Sequence, residues 1–434
     1  MKKFSIKVAV AVILTAATTA LPIFGAKNKS VFSELPACYD GSMSGVNLEG
    51  PFFVIPDSLS VVSCGYMSRH GARYLSSEKK VKGLEKGIDE ARKAGTLTAR
   101  GERFAELVAT VRKASEGHWG LLSKEGIHEQ EVFGKAFAAN VIERFRLPEG
   151  HAVEQNAVSS YVPRVVETMY GFTCNTLIDN FVDFNSKPLT TINTSEGPEY
   201  DDLTRFFISN STYKSYIHQG EWKGIYDEFV KDRISGDAAR VLLGDIPGKD
   251  AEWYRKYSME IYGMLMSLRV TGLGAPTTEW MSEGEYKACW EAANLDMYLK
   301  RTLNSVSDEA CRAAVPLLGY LLQADRGEIV EVFGHAETLI PLVAVMGLPS
   351  GVALVKDYDE VAAKWKNYEV APLGSNIAIV TLENEKATEK YMMVFHNGLA
   401  VSPMPESGIV VKAEDYLDFL TNRITSFSSG ARSN

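Results

Sequence analysis

The chain is poor in the features that mark several functional classes. It has five cysteines, Cys38, Cys64, Cys174, Cys289 and Cys311, with no CxxC or other zinc-ligand spacing among them. That argues against a metal-ribbon or disulfide-scaffold protein, and the odd count leaves at least one thiol unpaired if bridges form. Basic residues are outnumbered, 46 against 55 acidic, for a formal charge of -9. An excess of that sign argues against general affinity for nucleic acid, which needs basic surface to neutralise phosphates. Any anionic ligand must be met by a local cluster of arginine or lysine. No internal repeat is present, and beyond the N-terminus no apolar run approaches a membrane span. With 434 residues, 45% hydrophobic and 23% charged, the composition is that of an ordinary globular protein.

The N-terminus reads as an export signal. Lys2, Lys3 and Lys7 precede an apolar run from Val8 to Leu21, about 14 residues where a bilayer crossing needs roughly 20. Cleavage is expected near Ala20 or Ala26, so residues 1–26 are assigned to the signal. The mature protein is then periplasmic or secreted and has no stable membrane span.

Strand and helix patterns interleave through the remainder. Leu59 to Ser68 reads as a buried strand that stops at Arg69-His70-Gly71, and helical spacing resumes at Phe104, Leu107, Val108 and Val111. A second helix is expected over Gly134 to Phe145, then a strand near Ala152 to Val158 ending in Ser159-Ser160. Glu328 to Phe333 alternates as a strand, ends at Gly334-His335 and leads into a helix through Glu337 to Met346. Asn376 to Leu382 and Tyr391 to Phe395 form a hairpin, and Asn397-Gly398 signals a further turn. From about Asn175 to Glu309 the texture is helical, with Tyr254, Tyr257, Ile261, Met264, Leu265 and Leu268 at helical spacing. The expected architecture is α/β: a mixed central sheet flanked by helices, formed by 27–175 and 310–434, with a mainly helical second domain, 176–309, inserted. Polar chemistry sits where strands hand over to helices, the place where ligands collect in open α/β sheets.

Three such places stand out. Arg69-His70-Gly71-Ala72-Arg73 sets an imidazole between two guanidiniums, which disfavour its protonation and can take phosphate oxygens two at a time. A chain of this length meets RHGxR by accident about once in a thousand. Ser159-Ser160-Tyr161-Val162-Pro163-Arg164, followed by Thr168, places an arginine in the first turn of a capped helix. Gly334-His335-Ala336-Glu337 ends a strand with an imidazole and a carboxylate that can aim at one pocket. A phosphoryl group is the natural guest. The other histidines carry less: His128-Glu129 opens like HExxH but position 132 is Val, His396 precedes a turn, and His118, His151 and His218 have no partner spacing. Gly248-Lys249 lacks the preceding glycine of a phosphate-binding loop.

Together the three elements resemble the histidine phosphatase superfamily, in its acid phosphatase and phytase branch. His335-Ala336-Glu337 is similar to the HAE of the multiple inositol polyphosphate phosphatases, where most of the wider family has His-Asp. Tyr74 fits that subgroup as well. Leu122-Ser123-Lys124-Glu125-Gly126 with Gly134 is similar to the family's L-[ST]-x-x-G-x7-G stretch. The resemblance implies the histidine phosphatase fold and a phosphomonoesterase, with phytate and lower inositol polyphosphates as substrates. His70 is then the nucleophile, Glu337 the proton donor, and Arg69, Arg73, Arg164 and His335 the phosphate-binding set, with no metal and no cofactor. Lys79, Lys80 and Lys82 either rim the pocket or form a solvated loop. A broad acid or sugar phosphatase with the same residues, and a phospholigand-binding relative without turnover, remain alternatives.

Overall fold

The computed structural model describes residues 32–177 and 190–428; the expected export signal lies outside them. One mixed sheet organises the chain. Its strands are β1 (Leu59–Arg69), β2 (Val153–Ser159), β3 (Thr190–Glu196), β4 (Glu328–Gly334), β5 (Asn376–Asn384), β6 (Lys390–His396), β7 (Leu399–Val401) and β8 (Val411–Lys412). They run in the order β3-β2-β4-β1-β5-β6-β7, with β8 against β6. β3, β2, β4 and β1 are mutually parallel, and β5, β6 and β7 continue antiparallel. Parallel strands need helical crossovers, which the sequence supplies between β1 and β2 and between β3 and β4.

The helices of the first crossover are α1 (Glu78–Ala94), α2 (Ala99–Ser115) and α3 (Lys124–Asn140), and α4 (Pro163–Leu177) follows β2. After β3 come the short α5 (Asp201–Thr204), α6 (Phe206–Ser209) and α7 (Ser211–Gln219). The longer α8 (Trp222–Arg233), α9 (Asp237–Leu243), α10 (Ala251–Leu265), α11 (Glu283–Arg301) and α12 (Glu309–Leu322) lead to β4, and α13 (Ala336–Met346) leaves it.

Side chains alternate across the sheet. Tyr66, Ile329 and Phe333 pack with Phe133, Phe137 and Phe172 of α3 and α4, while Met67, Val330 and Val332 pack with α12 and α13 on the other face. A third apolar cluster joins α1 and α2 to α9, α10 and α11, so this helical layer draws on chain from both sides of residue 176.

Two local expectations differ from the structure. The helix expected over Gly134 to Phe145 begins at Lys124, where the Ser123 hydroxyl accepts from the Gly126 amide at 3.3 Å. Its first half buries Glu129 and Gln130 rather than apolar residues, so hydrophobic spacing alone understates it. Within the segment read as helical, Thr190–Glu196 forms a strand, an exposed edge whose hydrogen bonds to β2 replace apolar burial. The strand and hairpin expectations elsewhere hold to within two residues, and Asn397 and Gly398 both take positive φ, 55° and 75°, as a tight hairpin turn requires.

Candidate active site

Strand register assembles the site. Arg69 lies opposite Gly334, and Ser159 opposite Phe333, so the carboxyl ends of β1, β4 and β2 finish level. The His70 amide donates to the Gly334 carbonyl at 3.0 Å and the Ser160 amide to the Phe333 carbonyl at 3.1 Å. His70, His335 and Ser160 therefore leave the sheet side by side, and the two imidazole centroids are 5.6 Å apart.

The turn after β1 is held from beneath. The Gly71 amide donates to Thr168 Oγ1 at 3.2 Å, and Thr168 Oγ1 donates to the Arg164 carbonyl at 2.8 Å. Glu129 Oε2 accepts from the Ala72 amide at 2.8 Å. A Cβ on Gly71 would lie 2.8 Å from both Glu129 Oε2 and the Gly126 carbonyl oxygen, so this position admits only glycine without displacement. His70 Nδ1 lies 3.0 Å from the Gly71 carbonyl. A carbonyl can only accept, so Nδ1 carries the proton and the Nε2 lone pair is left for a ligand.

His70, Arg69, Arg73, Arg164, His335 and Glu337 all line one cavity of about 330 Å³. Arg69 Nη1 is fixed by the Ser42 carbonyl at 2.6 Å and by the Ala371 carbonyl. Arg73 Nη1 donates to the Tyr74 carbonyl at 2.9 Å. Arg164 follows Pro163 in the first turn of α4. His335 caps α13, with Nε2 3.1 Å from Ser160 Oγ, and Glu337 stands in the first turn of that helix.

Electrostatics follow from burying like charges together. Burial, then Arg164, Arg69, Arg73 and His335, push the His70 imidazole well below its usual range, so it is neutral. Burial and neighbouring cations bring Arg69 down to about 10 and Arg73 to about 9, and both stay charged below that. His335 is lowered to about 3, chiefly by burial, against the pull of Glu337. Burial would raise Glu337, but Arg301, His335, its own backbone amide and Arg69 outweigh it and hold the carboxyl at about 2.

Several residues of the site carried no sequence signal. Arg205, between α5 and α6, lines the cavity, stacks on Tyr161 at 4.6 Å, has Nη1 3.9 Å from Asp201 Oδ1, and among the described residues finds no hydrogen-bond partner for Nε or Nη1. Arg301, the last residue of α11, comes within 3.7 Å of Glu337 Oε1. Glu129 was legible only as half of a failed HExxH; its burial on the same α3 face as Gly126 and Phe133 is the helical spacing that marks it as inward. Of the three lysines, Lys80 lines the cavity, Lys79 lines an adjoining groove of about 470 Å³ that shares Lys80 and Gly263, and Lys82 pairs with Glu78. The five cysteines are all free thiols. Among the described residues, no cluster of three or more His, Cys, Asp or Glu is placed to hold a metal, and no helix is long and apolar enough to cross a membrane.

No protein-family model matches this chain, and no curated protein sequence matches it. Solved structures do. The multiple inositol polyphosphate phosphatase of Bifidobacterium longum, complexed with inositol hexasulfate, superposes with a TM-score of 0.68 at 15% identity, covering 88% of this chain and 97% of that one. Its phosphate complex gives 0.67 at 16% identity, covering 91% and 100%. The phytase from D. castellii gives 0.63 at 16% identity, covering 89% and 85%. Over nearly its whole described length, then, this chain adopts the histidine phosphatase fold of the inositol polyphosphate phosphatase and phytase structures it is similar to.

Proposed function

We propose that the protein is a phosphomonoesterase that removes phosphates from phytate and lower inositol polyphosphates through a phosphohistidine on His70. The observation that carries this reading is a neutral imidazole whose free Nε2 shares a 330 Å³ cavity with Arg69, Arg73 and Arg164. The neighbouring folds bind phosphate and inositol hexasulfate, and the groove beyond Lys80 leaves room for a substrate larger than one phosphoryl group.

In this reading Arg69, Arg73, Arg164 and His335 hold the phosphoryl oxygens and stabilise their charge as Nε2 attacks phosphorus in line. The P–O bond to the inositol breaks, and Glu337 gives its proton to the departing oxygen. That carboxyl is ionised in the empty site. An entering phosphate compensates Arg69, which lines the cavity, and sets its own negative charge beside the carboxyl, so Glu337 takes up a proton as substrate binds. Once the alcohol leaves, the Glu337 carboxylate accepts a proton from the water that attacks the phosphohistidine, and phosphate is released. Residues 1–26 serve as the export signal, placing the enzyme in the periplasm or outside the cell, and the helical part of 176–309, packed with α1 and α2, shapes substrate preference.

The test is phosphate release from phytate. His70→Ala is expected to abolish it with the fold intact, and undiminished turnover in that variant would reject the mechanism. With an aryl phosphate, whose leaving group needs no proton, Glu337→Gln is expected to accumulate phosphohistidine, detectable after quenching in alkali. Comparing rates on phytate, glucose 1-phosphate and an aryl phosphate separates a phytase from a broad phosphatase. Tight phytate binding without release at any pH would mark a binding protein instead.

A further inference from the structure

Glu337 is surrounded by cations of two kinds. Arg69 from β1, Arg73 from the turn after it and Arg164 from α4 face it across the cavity, with Arg205 on the same wall. His335 precedes it on its own element, and Tyr213 of α7 lies close by. Arg301 approaches from the other side. It ends α11, its side chain is 12% exposed, and Nη2 lies 3.7 Å from Glu337 Oε1. Glu337 belongs to the cavity wall and Arg301 does not. Two of the guanidinium nitrogens, Nε and Nη1, are buried and have no hydrogen-bond partner among the described residues. At 3.7 Å the contact is an ion pair rather than a hydrogen bond, so it acts mainly through charge.

The distinction matters once a phosphate occupies the cavity. The dianion compensates the arginines that touch it, but Arg301 lies behind the carboxyl, out of the ligand's reach. Its charge persists throughout the cycle. We propose, on the basis of the phosphatase reading above, that Arg301 is a positioning residue that holds Glu337 toward the scissile bond and stabilises the carboxylate formed when it protonates the leaving oxygen. In that step the Nε2–P bond forms, the ester P–O bond breaks, and the proton passes from Glu337 to the inositol oxygen. Arg301 exchanges no proton itself.

This predicts that Arg301 sets the pH above which the first step fails for want of a protonated Glu337. An opposite charge within about 4–6 Å moves a carboxyl by about 1–3 pH units. In Arg301→Gln the alkaline limb of kcat on phytate is therefore expected to move up by about one unit or more. Arg301→Lys, which keeps the charge, should leave that limb within about 0.5 unit of the parent. Arg301→Met removes the charge while retaining an unbranched stem, and decides the matter if the glutamine variant does not fold. A purely structural role would lower kcat at every pH without moving the limb, and that result, or a lysine limb displaced as far as the neutral variants, overturns the proposal. Failure of the phosphatase reading looks different: the unmodified enzyme then releases no phosphate at any pH.

Discussion

Replacing Gly126 with alanine would set a methyl group against the turn that carries His70, the proposed nucleophile. A Cβ at this position would lie 2.0 Å from the Ala72 carbonyl oxygen and 2.8 Å from the Ala72 amide nitrogen, both backbone atoms with no rotamer to escape into. An ordinary carbon–oxygen contact is about 3.3 Å or longer, so the turn and α3 must separate by roughly 1.3 Å. Two contacts bear that movement directly: the Ser123 amide to the Ala72 carbonyl, 2.9 Å, and the Ala72 amide to Glu129, 2.8 Å. Overpacking of this kind costs about 1–3 kcal/mol of stability, while a displacement near 1 Å at reacting groups costs about 100-fold in rate. The expected result is a folded protein with a modestly lower denaturation midpoint and kcat on phytate down by about two orders of magnitude. Activity should fall more than phosphate affinity, because Arg164 sits on α4 and need not move. Full activity in the alanine variant would refute the argument that this approach of helix and turn aims His70.

Other expectations rest on single contacts. Burial, offset in part by the Ala72 amide and Arg69, raises Glu129 to about 8 from its ordinary 4.5. Between those values the folded state holds a proton that the unfolded chain has lost, so this group makes stability fall as pH rises through that window. Glu129→Gln keeps an acceptor for the Ala72 amide and should flatten the midpoint between pH 5 and pH 8; an unchanged slope would mean the carboxyl is not protonated in the folded state. Arg69→Lys keeps the charge but loses the fork that reaches the Ser42 and Ala371 carbonyls. Charged hydrogen bonds contribute about 1.5–3 kcal/mol, so kcat/KM should fall about 10- to 100-fold. Inorganic phosphate should raise the denaturation temperature, since a ligand at 100 times its Kd adds about 2.7 kcal/mol. That shift should survive in His70→Ala and shrink in Arg73→Ala, and its absence at saturating phosphate would count against the cavity as an anion site.

What the sequence made legible, and what it did not, follows from the range of the interactions. His70, Arg164 and His335 announce themselves because each sits one to five residues beyond a buried strand, and a short strand pattern that stops at a polar turn is a local signal. Their convergence also follows, because β1, β4 and β2 are parallel neighbours whose ends must coincide. Arg205 and Arg301 reach the same cavity or its rear wall from short connections and a helix end, where an arginine is common and local pattern is silent. Arg301 in particular reads as an ordinary complement to a helix C-terminus. Gly126 and Gly134 were visible through resemblance, but their reason is tertiary: one admits the Ala72 carbonyl, and the other lets α3 approach the Phe172 carbonyl of α4, 2.7 Å from where a Cβ would stand. Glu129 was misleading because a buried carboxylate interrupts the apolar stripe by which an inward helix face is recognised.

An acidic protein that receives a polyanion needs its positive charge concentrated rather than plentiful. The chain carries a formal charge of -9, yet among the described residues four arginines and Lys80 face one cavity in which Glu337 is the only carboxylate on the wall. Burying them, and to a lesser degree crowding them, has a visible cost in the lowered Arg69, Arg73 and Arg164. The carbonyls of Ser42 and Ala371 offset part of it at Arg69, and at Arg205 the ring face of Tyr161 does so beside a 3.9 Å ion pair with Asp201, which lies outside the cavity wall. At Arg69 and Arg73 carbonyl oxygens without net charge hold the side chains in place and leave their charge available. Had carboxylates done the same work, the cavity would be neutral before any substrate arrived. The same reasoning explains why the carboxylate on the described wall is the one the proposed chemistry requires, and why its counter-ion, Arg301, stands behind it rather than in the phosphate's path.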